Sequence, residues 1–157
     1  MIKAVNKYYD KGYVETLPIL NKIKEQFKDK IILDISYNIS YEECIKRKKD
    51  CHIIIDECKT GSFHKTTLEG LMLGCIVIVN ISKELCNKHK QLYSKELPII
   101  NANLINLEKE IIKLINLGKE NLEKIAIENN KIFIQYWNKE IVYNEYKNIY
   151  ENLFTSK

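Results

Sequence analysis

Short apolar, β-branched runs alternate with segments of helical spacing in the middle of the chain. The runs His52–Ile55 and Ile76–Val79 are typical of strands buried on both faces of a parallel sheet. The segment between them predicts a helix of about three turns. The apolar side of that helix consists of Leu68, Leu71, Met72 and Leu73. Gly74 stands where a helix C-cap favours a positive φ, so the pattern predicts one strand–helix–strand unit with a right-handed crossover.

The rest of the chain continues this alternation. The further predicted strands are Met1–Val5, Ile31–Ile35 and an edge strand at Leu97–Ile100, and the further helices are Val14–Phe27, Tyr41–Lys48 and Ser82–Lys90. Ser40 is the expected N-cap of the second of these helices, and Pro18 is tolerated only close to the start of the first. We therefore expect an α/β fold, with a Rossmann-like parallel sheet flanked by helices.

From Leu104 onward the spacing is helical throughout, which predicts a helical C-terminal extension from about residue 119. We expect residues 1–157 to form a single domain. Aromatic residues recur at helical spacing in the extension, and such stripes are typical of a buried core. These aromatic residues are Tyr136, Trp137, Tyr143, Tyr146 and Tyr150.

Composition narrows the class of protein. The chain is 45% hydrophobic and 29% charged, with a formal charge of +4 and interspersed Lys and Glu, so nucleic-acid binding is not indicated. Its five cysteines form no Cys-x-x-Cys pair, which argues against a disulfide framework and a zinc site. No apolar run approaches the roughly 18 residues of a membrane helix, and the N-terminus does not resemble a signal peptide. These features predict a cytoplasmic protein with reduced thiols and no transmembrane segment.

The turn after the central strand contains the candidate ligand-binding residues. In an open α/β sheet, ligands bind beyond the carboxyl ends of the strands, where helix N-termini point. Gly61–Thr67 lies there and includes the hydroxyl residues Ser62, Thr66 and Thr67, which makes it a candidate anion site. Glu69, one turn further along, is placed to accept hydrogen bonds from sugar hydroxyls as an exposed helical carboxylate. This combination predicts a grip on phosphate and ribose, and hence a nucleotide.

Three matches give this chain its resemblance to a known family. Residues 61–78 resemble the donor-binding segment of GT-B glycosyltransferases of the glycogen-synthase-like group 1 kind, which has a Gly-rich turn followed by Glu-Ala-Met-Ala-Leu-Gly-Lys-Pro-Val-Ile. Residues 97–103 are similar to the Pro-Ile-Val-Asn-Ala-Asn of one branch. Lys11-Gly12 matches the family's Lys-Gly before the first helix. The resemblance extends from about Asn6 to Trp137.

The resemblance implies a single GT-B half that binds a nucleoside-diphosphate sugar as donor, with no cofactor and no metal. The implied donor-binding residues are Lys11, Gly61, Ser62, Phe63, His64, Thr66, Thr67 and Glu69. His64 and Lys65 lie at the lip of this site, and no catalytic residue is assigned. Many family members carry an additional sugar-contacting glutamate where this chain has Gly61, and Cys75-Ile76 replaces the usual Lys-Pro.

The resemblance also implies a partner. GT-B enzymes bind the donor between two domains, so an N-terminal acceptor domain or subunit is expected. Alternatives remain open: this chain could be a fragment of a longer enzyme, a subunit of a split transferase or a non-catalytic nucleotide-binding module. Its expected location is cytoplasmic, with peripheral attachment at the inner membrane face left open.

A rival from another class is the phosphoacceptor receiver domain, which also places an aspartate at the end of its third strand, as Asp56 is placed here. A receiver needs an acidic pair after its first strand, where this chain has the basic Asn6-Lys7. We therefore expect Asp56 and Glu57 to shape the rim of the nucleotide site.

Overall fold

The computed structural model describes residues 2–4, 12–36 and 38–155, and it places five strands in one parallel sheet. The strands are β1 (Ile2–Ala4), β2 (Leu33–Ile35), β3 (Ile53–Ile55), β4 (Ile76–Val79) and β5 (Ile100–Asn101). Their order across the sheet is β2-β1-β3-β4-β5, with parallel pairing throughout. The chain is therefore a mixed α/β protein with a parallel sheet flanked by helices. The order reverses direction between β1 and β3, which makes that crevice the topological switch point.

Seven α-helices alternate with the strands or follow the last of them. They are α1 (Tyr13–Phe27), α2 (Tyr41–Lys49), α3 (Lys65–Met72), α4 (Lys83–Tyr93), α5 (Leu107–Leu117), α6 (Lys119–Tyr136) and α7 (Lys139–Thr155) among the described residues. Ser40 caps α2 as expected, since its hydroxyl accepts the backbone N–H of Glu43 at 3.2 Å. Pro18 lies inside α1, five residues after the helix begins, rather than at its start.

Two predicted elements are shorter than expected. The helix α3 has eight residues because its chain closes tightly: Gly74 has φ +75°, and the N–H of Cys75 donates to the carbonyl of Gly70 at 2.9 Å. Met72 is consequently exposed and does not belong to the apolar side. The edge strand begins only at Ile100, because the N–H of Ile99 turns back to the carbonyl of Leu97.

The sheet separates two apolar layers, because alternate strand residues point to opposite faces. Ile53, Ile55, Ile76 and Ile78 face one layer, which α1 and α5 cover. The covering side chains are Leu20, Ile23, Leu107, Ile111 and Leu114. Val77 and Val79 face the other layer, where Leu71 of α3 and Phe133 of α6 pack.

Helix α6, in the predicted C-terminal extension, packs in both layers. Ala126 packs in the first layer and Phe133 in the second. Between them, the Asn130 side-chain amide donates to the carbonyls of Leu71 and Met72 at 2.8 and 3.0 Å. Because carbonyls at a helix end lack intrahelical partners, Asn130 acts as a C-terminal cap of α3.

The aromatic residues expected in the core divide into two groups. Trp137 is half-buried and stacks on Phe133, with ring centroids 6.0 Å apart, and on His89 of α4, with centroids 6.2 Å apart. The His89 ring is held at both nitrogens: Nδ1 lies 3.0 Å from the carbonyl of Lys95, and Nε2 accepts Nε1–H of Trp137 at 3.3 Å. Tyr143, Tyr146 and Tyr150 on α7 are exposed, so for them the core prediction is wrong.

Gly70 sets the distance between α3 and the sheet. A Cβ at this position would lie 2.8 Å from Cγ2 of Val77 and 3.2 Å from Cδ1 of Ile54. Both neighbours belong to buried strands and have little freedom to move. The helix therefore approaches the sheet as closely as a residue without a side chain allows.

We expect Gly70→Ala to destabilise the protein by about 1–2 kcal/mol, because the overpacking cost exceeds the gain in helix propensity. The measurement is the free energy of unfolding in urea. In a Val77→Ala background the added methyl group enters vacated space, so the same substitution should cost less. A Gly70→Ala protein more stable than wild type would contradict the close approach.

Candidate functional site

Two loops and the start of α1 meet at the carboxyl edge of the sheet, beside the switch point. Gly12, the residue before α1, has φ +76°, and a Cβ there would lie 3.0 Å from Cβ of Lys59 in the loop after β3. The loop after β4 joins them, since the N–H of Ser82 donates to the carbonyl of Gly61 at 2.8 Å. The predicted turn thus lies where α/β sheets bind ligands.

Asp56 is seated beneath the start of α3. Its Oδ2 atom accepts the N–H of His64 at 3.1 Å, the N–H of Thr67 at 3.2 Å and the Thr67 hydroxyl at 2.7 Å. His64, the N-cap by position, provides no side-chain cap of its own. Asp56 therefore caps the helix from the preceding strand, and its charge lies favourably at the positive end of the helix dipole.

This arrangement corrects the predicted role of Thr67. Its side chain is fully buried, and both its N–H and its hydroxyl are bonded to Asp56. A carboxylate already occupies the position in which the sequence predicted an anionic ligand. Thr67 consequently holds the turn together and has no surface to offer a phosphate.

Asp56 and Glu57 do not form a rim either, because both are buried. Glu57 accepts the backbone N–H groups of Lys59 and Thr60 and the Thr60 hydroxyl. It therefore shapes the loop after β3 from inside. Buried carboxylates with backbone partners are supports of this loop rather than contacts for a ligand.

The burial of Asp56 also bears on the receiver alternative. The residue is 2% exposed, Oδ2 is bonded to three donors, and Oδ1 is buried without a partner among the described residues. A phosphoacceptor needs a carboxylate oxygen that a phosphodonor can reach. The geometry weighs against that alternative.

Glu69 forms an ion pair that the sequence did not indicate. Its Oε2 accepts Nζ of Lys48 on α2, and the two side chains are only 14% and 4% exposed. Its Oε1 lies 3.4 Å from Nζ of Lys65, which is 74% exposed and also lies 4.3 Å above the ring of Tyr41. Burial alone would raise the pKa of Glu69, but the hydrogen bond and charge of Lys48, followed by those of Lys65, lower it below its ordinary value.

The ion pair corrects the expectation that Glu69 is an exposed carboxylate, replaceable at little cost in stability. It joins α2 to α3 directly. Lys48 lies in the run Lys46-Arg47-Lys48-Lys49, which looks like a solvated helix face. No local signal distinguishes the one buried lysine of that run.

The remaining predicted residues lie at different depths. Ser62 is exposed at the turn, and His64 and Thr66 are half-buried at the helix start. Phe63 packs edge-to-face against Trp137, with ring centroids 6.3 Å apart, so its ring belongs to the second apolar layer. Lys11 falls outside the described residues, although Gly12 beside it is described.

Two of the cysteines, Cys58 and Cys75, are buried thiols of low reactivity. Burial raises the pKa of Cys58 and that of Cys75 to about 12. Thiols with such pKa values stay protonated at neutral pH, and a thiolate nucleophile is not expected at either position. In the part of the chain that the structure describes, no three His, Cys, Asp or Glu side chains converge as a metal-binding group.

A separate cleft of about 650 Å³ opens at the opposite, amino edge of the sheet. It is lined by residues that precede β2 and β3, including Ile32 and His52, and by the connection around Gly118 between α5 and α6. Because ligands of open α/β sheets bind at the carboxyl edge, this cleft is not part of the candidate site.

Comparison with protein-family models, curated proteins and solved structures yields no match to this chain. No described helix combines the length and apolar character needed to cross a membrane. The glycosyltransferase resemblance therefore rests on the sequence motifs alone.

We expect Glu69→Gln to lower the free energy of unfolding by about 2–4 kcal/mol, because it leaves the buried Lys48 charge uncompensated. Urea denaturation measures this cost. Glu123→Gln is the matched control, since Glu123 pairs with Lys119 at an exposed site and should cost less than about 0.5 kcal/mol. Equal effects of the two variants would contradict the buried pair.

The stability of wild type and of Glu69→Gln, measured as a function of pH, provides a second test. A lowered carboxyl pKa contributes stability that is complete above the ordinary Glu value of about 4.3 and is lost as pH falls through the folded-state pKa. The difference between wild type and Glu69→Gln should therefore be largest near neutral pH and shrink on acidification. A difference that grows in acid would contradict this assignment.

Proposed function

We propose that the carboxyl edge of the sheet binds the nucleoside diphosphate of a nucleotide sugar, and that the chain is the donor-binding unit of a GT-B glycosyltransferase. The observation that carries this proposal is that Gly12, at the start of α1, lies against Lys59 in the loop after β3, the loop that leads into the Gly61–Thr67 turn beside the switch point. Ligands of doubly wound sheets occupy that crevice. The order of the sequence motifs adds the chemical class of ligand.

The proposed phosphate contacts are the outer groups of the turn. Asp56 uses the N–H groups of His64 and Thr67, so the anion contacts fall to the Ser62 hydroxyl, to Thr66 and to the ammonium group of Lys65. The first backbone N–H groups of a helix have no intrahelical partner, which favours an anion near Lys65 and Thr66. Lys11, the neighbour of Gly12 in the sequence, would add a second cation.

Glu69 keeps a proposed role towards the ribose, now through one oxygen. Oε2 is occupied by Lys48, whereas Oε1 is buried and lies 3.4 Å from Nζ of Lys65. Movement of the exposed Lys65 side chain towards a phosphate would open Oε1 to a ribose hydroxyl. Lys48 would then hold the carboxylate in place for the sugar.

In this proposal, transfer is driven by stabilisation of the leaving diphosphate. Its developing charge would be met by the start of α3 and by the lysine side chains, a contribution that needs no metal ion. The sheet edge forms one wall of a reaction cleft. Orienting an acceptor and excluding water would require a second wall, from an acceptor domain or subunit.

The binding proposal predicts a dissociation constant on the order of 0.1–1 mM for a nucleoside diphosphate, because one wall supplies few contacts. The test is titration of UDP, GDP and ADP against isotope-labelled protein, following the amide shifts of residues 61–69. Lys65→Ala should weaken binding several-fold, whereas Lys88→Ala, on the exposed face of α4, should leave it unchanged.

Several millimolar of each nucleotide without a shift near Gly61 would remove the nucleotide proposal. Equal loss of binding in both lysine variants would show a non-specific charge effect and would exclude the site at α3. Glu69→Gln is unsuitable as the primary binding test, because its cost in stability would obscure the result.

The catalytic proposal predicts that the purified chain does not transfer sugar by itself. Incubation with UDP-, GDP- and ADP-linked hexoses should give at most slow donor hydrolysis, detected as released nucleotide. Fusion to an acceptor-type Rossmann domain from the same genomic neighbourhood should restore transfer, and Lys65→Ala should reduce it. Robust transfer by the chain alone after re-purification would contradict the need for a second wall.

A further inference from the structure

Helix α7 exposes a continuous apolar stripe. Tyr143, Tyr146, Tyr150 and Leu153 are each 60–64% exposed, and Ile149 and Phe154 beside them are exposed as well. The helix is joined to α4 by a 3.4 Å hydrogen bond from the Tyr93 hydroxyl to Glu145. A helix of this length has marginal stability in water unless its apolar side is covered.

The spacing of the stripe defines the kind of surface that would cover it. The four positions 143, 146, 150 and 153 are separated by three, four and three residues, which is the alternation of a coiled-coil seam. Such a seam packs against another helix rather than into an irregular groove, because its side chains project in two staggered rows.

We propose that α7 pairs with α7 of a second copy of this chain, forming a two-fold dimer. At the observed exposures, the stripe offers on the order of 600–700 Å² per copy, from aromatic side chains that bury about 150–250 Å² each. A symmetric pair that covers the stripe completely would bury about 1,300 Å², which lies within the lower part of the range for specific interfaces. The same stripe on both copies satisfies the self-complementarity that a two-fold axis requires.

The structure also favours an orientation. Each α7 begins at Lys139, two residues after the half-buried Trp137. An antiparallel pair places the two domains at opposite ends and leaves the seam free of them. In that pairing, Tyr146 opposes Tyr150 of the second copy and Tyr143 opposes Leu153, and aromatic side chains favour contacts of this kind.

The charges on α7 argue against two other partners. Residues 139–155 carry two lysines and three glutamates, and Lys147 is paired with Glu151 at 3.8 Å. A membrane-surface helix or a nucleic-acid contact would be favoured by a basic polar face. The mixed charges beside this seam are compatible with a protein helix.

The test is sedimentation equilibrium of the full chain between about 1 and 300 μM, a range that includes the affinities expected of such an interface. Wild type should convert reversibly from 18.6 kDa to twice that mass. Tyr146→Glu with Tyr150→Glu should remain monomeric. The matched control is Asn144→Glu with Asn148→Glu, which adds the same charges at the same spacing on the opposite face and should dimerise as wild type does.

Hydrogen exchange provides a second measurement that does not depend on the folding of any variant. Amides of residues 141–153 in wild type should exchange more slowly as concentration rises, while those of α5 should not change. The proposal would be overturned by a wild type that stays monomeric at 300 μM, by a dimer that survives the tyrosine substitutions, or by exchange in α7 that is independent of concentration. A stripe that is protected only when a different protein is added would also overturn it.

Discussion

The hydrogen bonds of one buried carboxylate, that of Asp56, control the geometry of the candidate site. Asp56 leaves β3 and immediately accepts three hydrogen bonds from the turn and first residues of α3. This fixes where α3 begins, and Gly70, one and a half turns later, then meets the sheet at the closest distance that packing allows. The positions of Ser62, Lys65 and Glu69 follow from these two constraints. Because the Asp56 charge satisfies the helix start from within, any anionic ligand must be held by the outer side of the turn.

The parts of the fold that local chemistry determines could be predicted from the sequence. The runs at β3 and β4 are apolar at successive positions because both faces of these strands are buried, and Ser40 has the side chain that a helix start needs. What could not be predicted depends on distant contacts. Helix α6 has the same apolar spacing as a helix on one face, yet Asn130 draws it across the end of α3. The stripe on α7 has the spacing of a core stripe. Spacing alone does not show whether such a stripe is buried, because burial depends on what packs against the helix.

The candidate site likewise has features that the sequence predicts and features that it does not. Glycine and hydroxyl residues at a strand–helix junction indicated a turn at the carboxyl edge, and the structure has one there. The sequence does not identify the partners of its charged residues. Lys48, the partner of Glu69, precedes it by 21 positions and lies in a run of basic residues. Sequence spacing identifies which side chains start near an edge. It does not show which of them are already paired within the protein, and that pairing decides which groups a ligand can use.

The C-terminal cap that Asn130 provides for α3 has a consequence for the order in which parts of the protein fold. The carbonyls of Leu71 and Met72 receive their side-chain donor from a residue about 60 positions later in the chain. During synthesis, the five strands and α1 to α5 leave the ribosome before this donor exists, so they can collapse before α6 packs against α3 and β4. Closing such a long-range contact carries a loop-entropy cost that is met late. The docking of α6 on α3 and β4 is therefore expected to follow formation of the sheet.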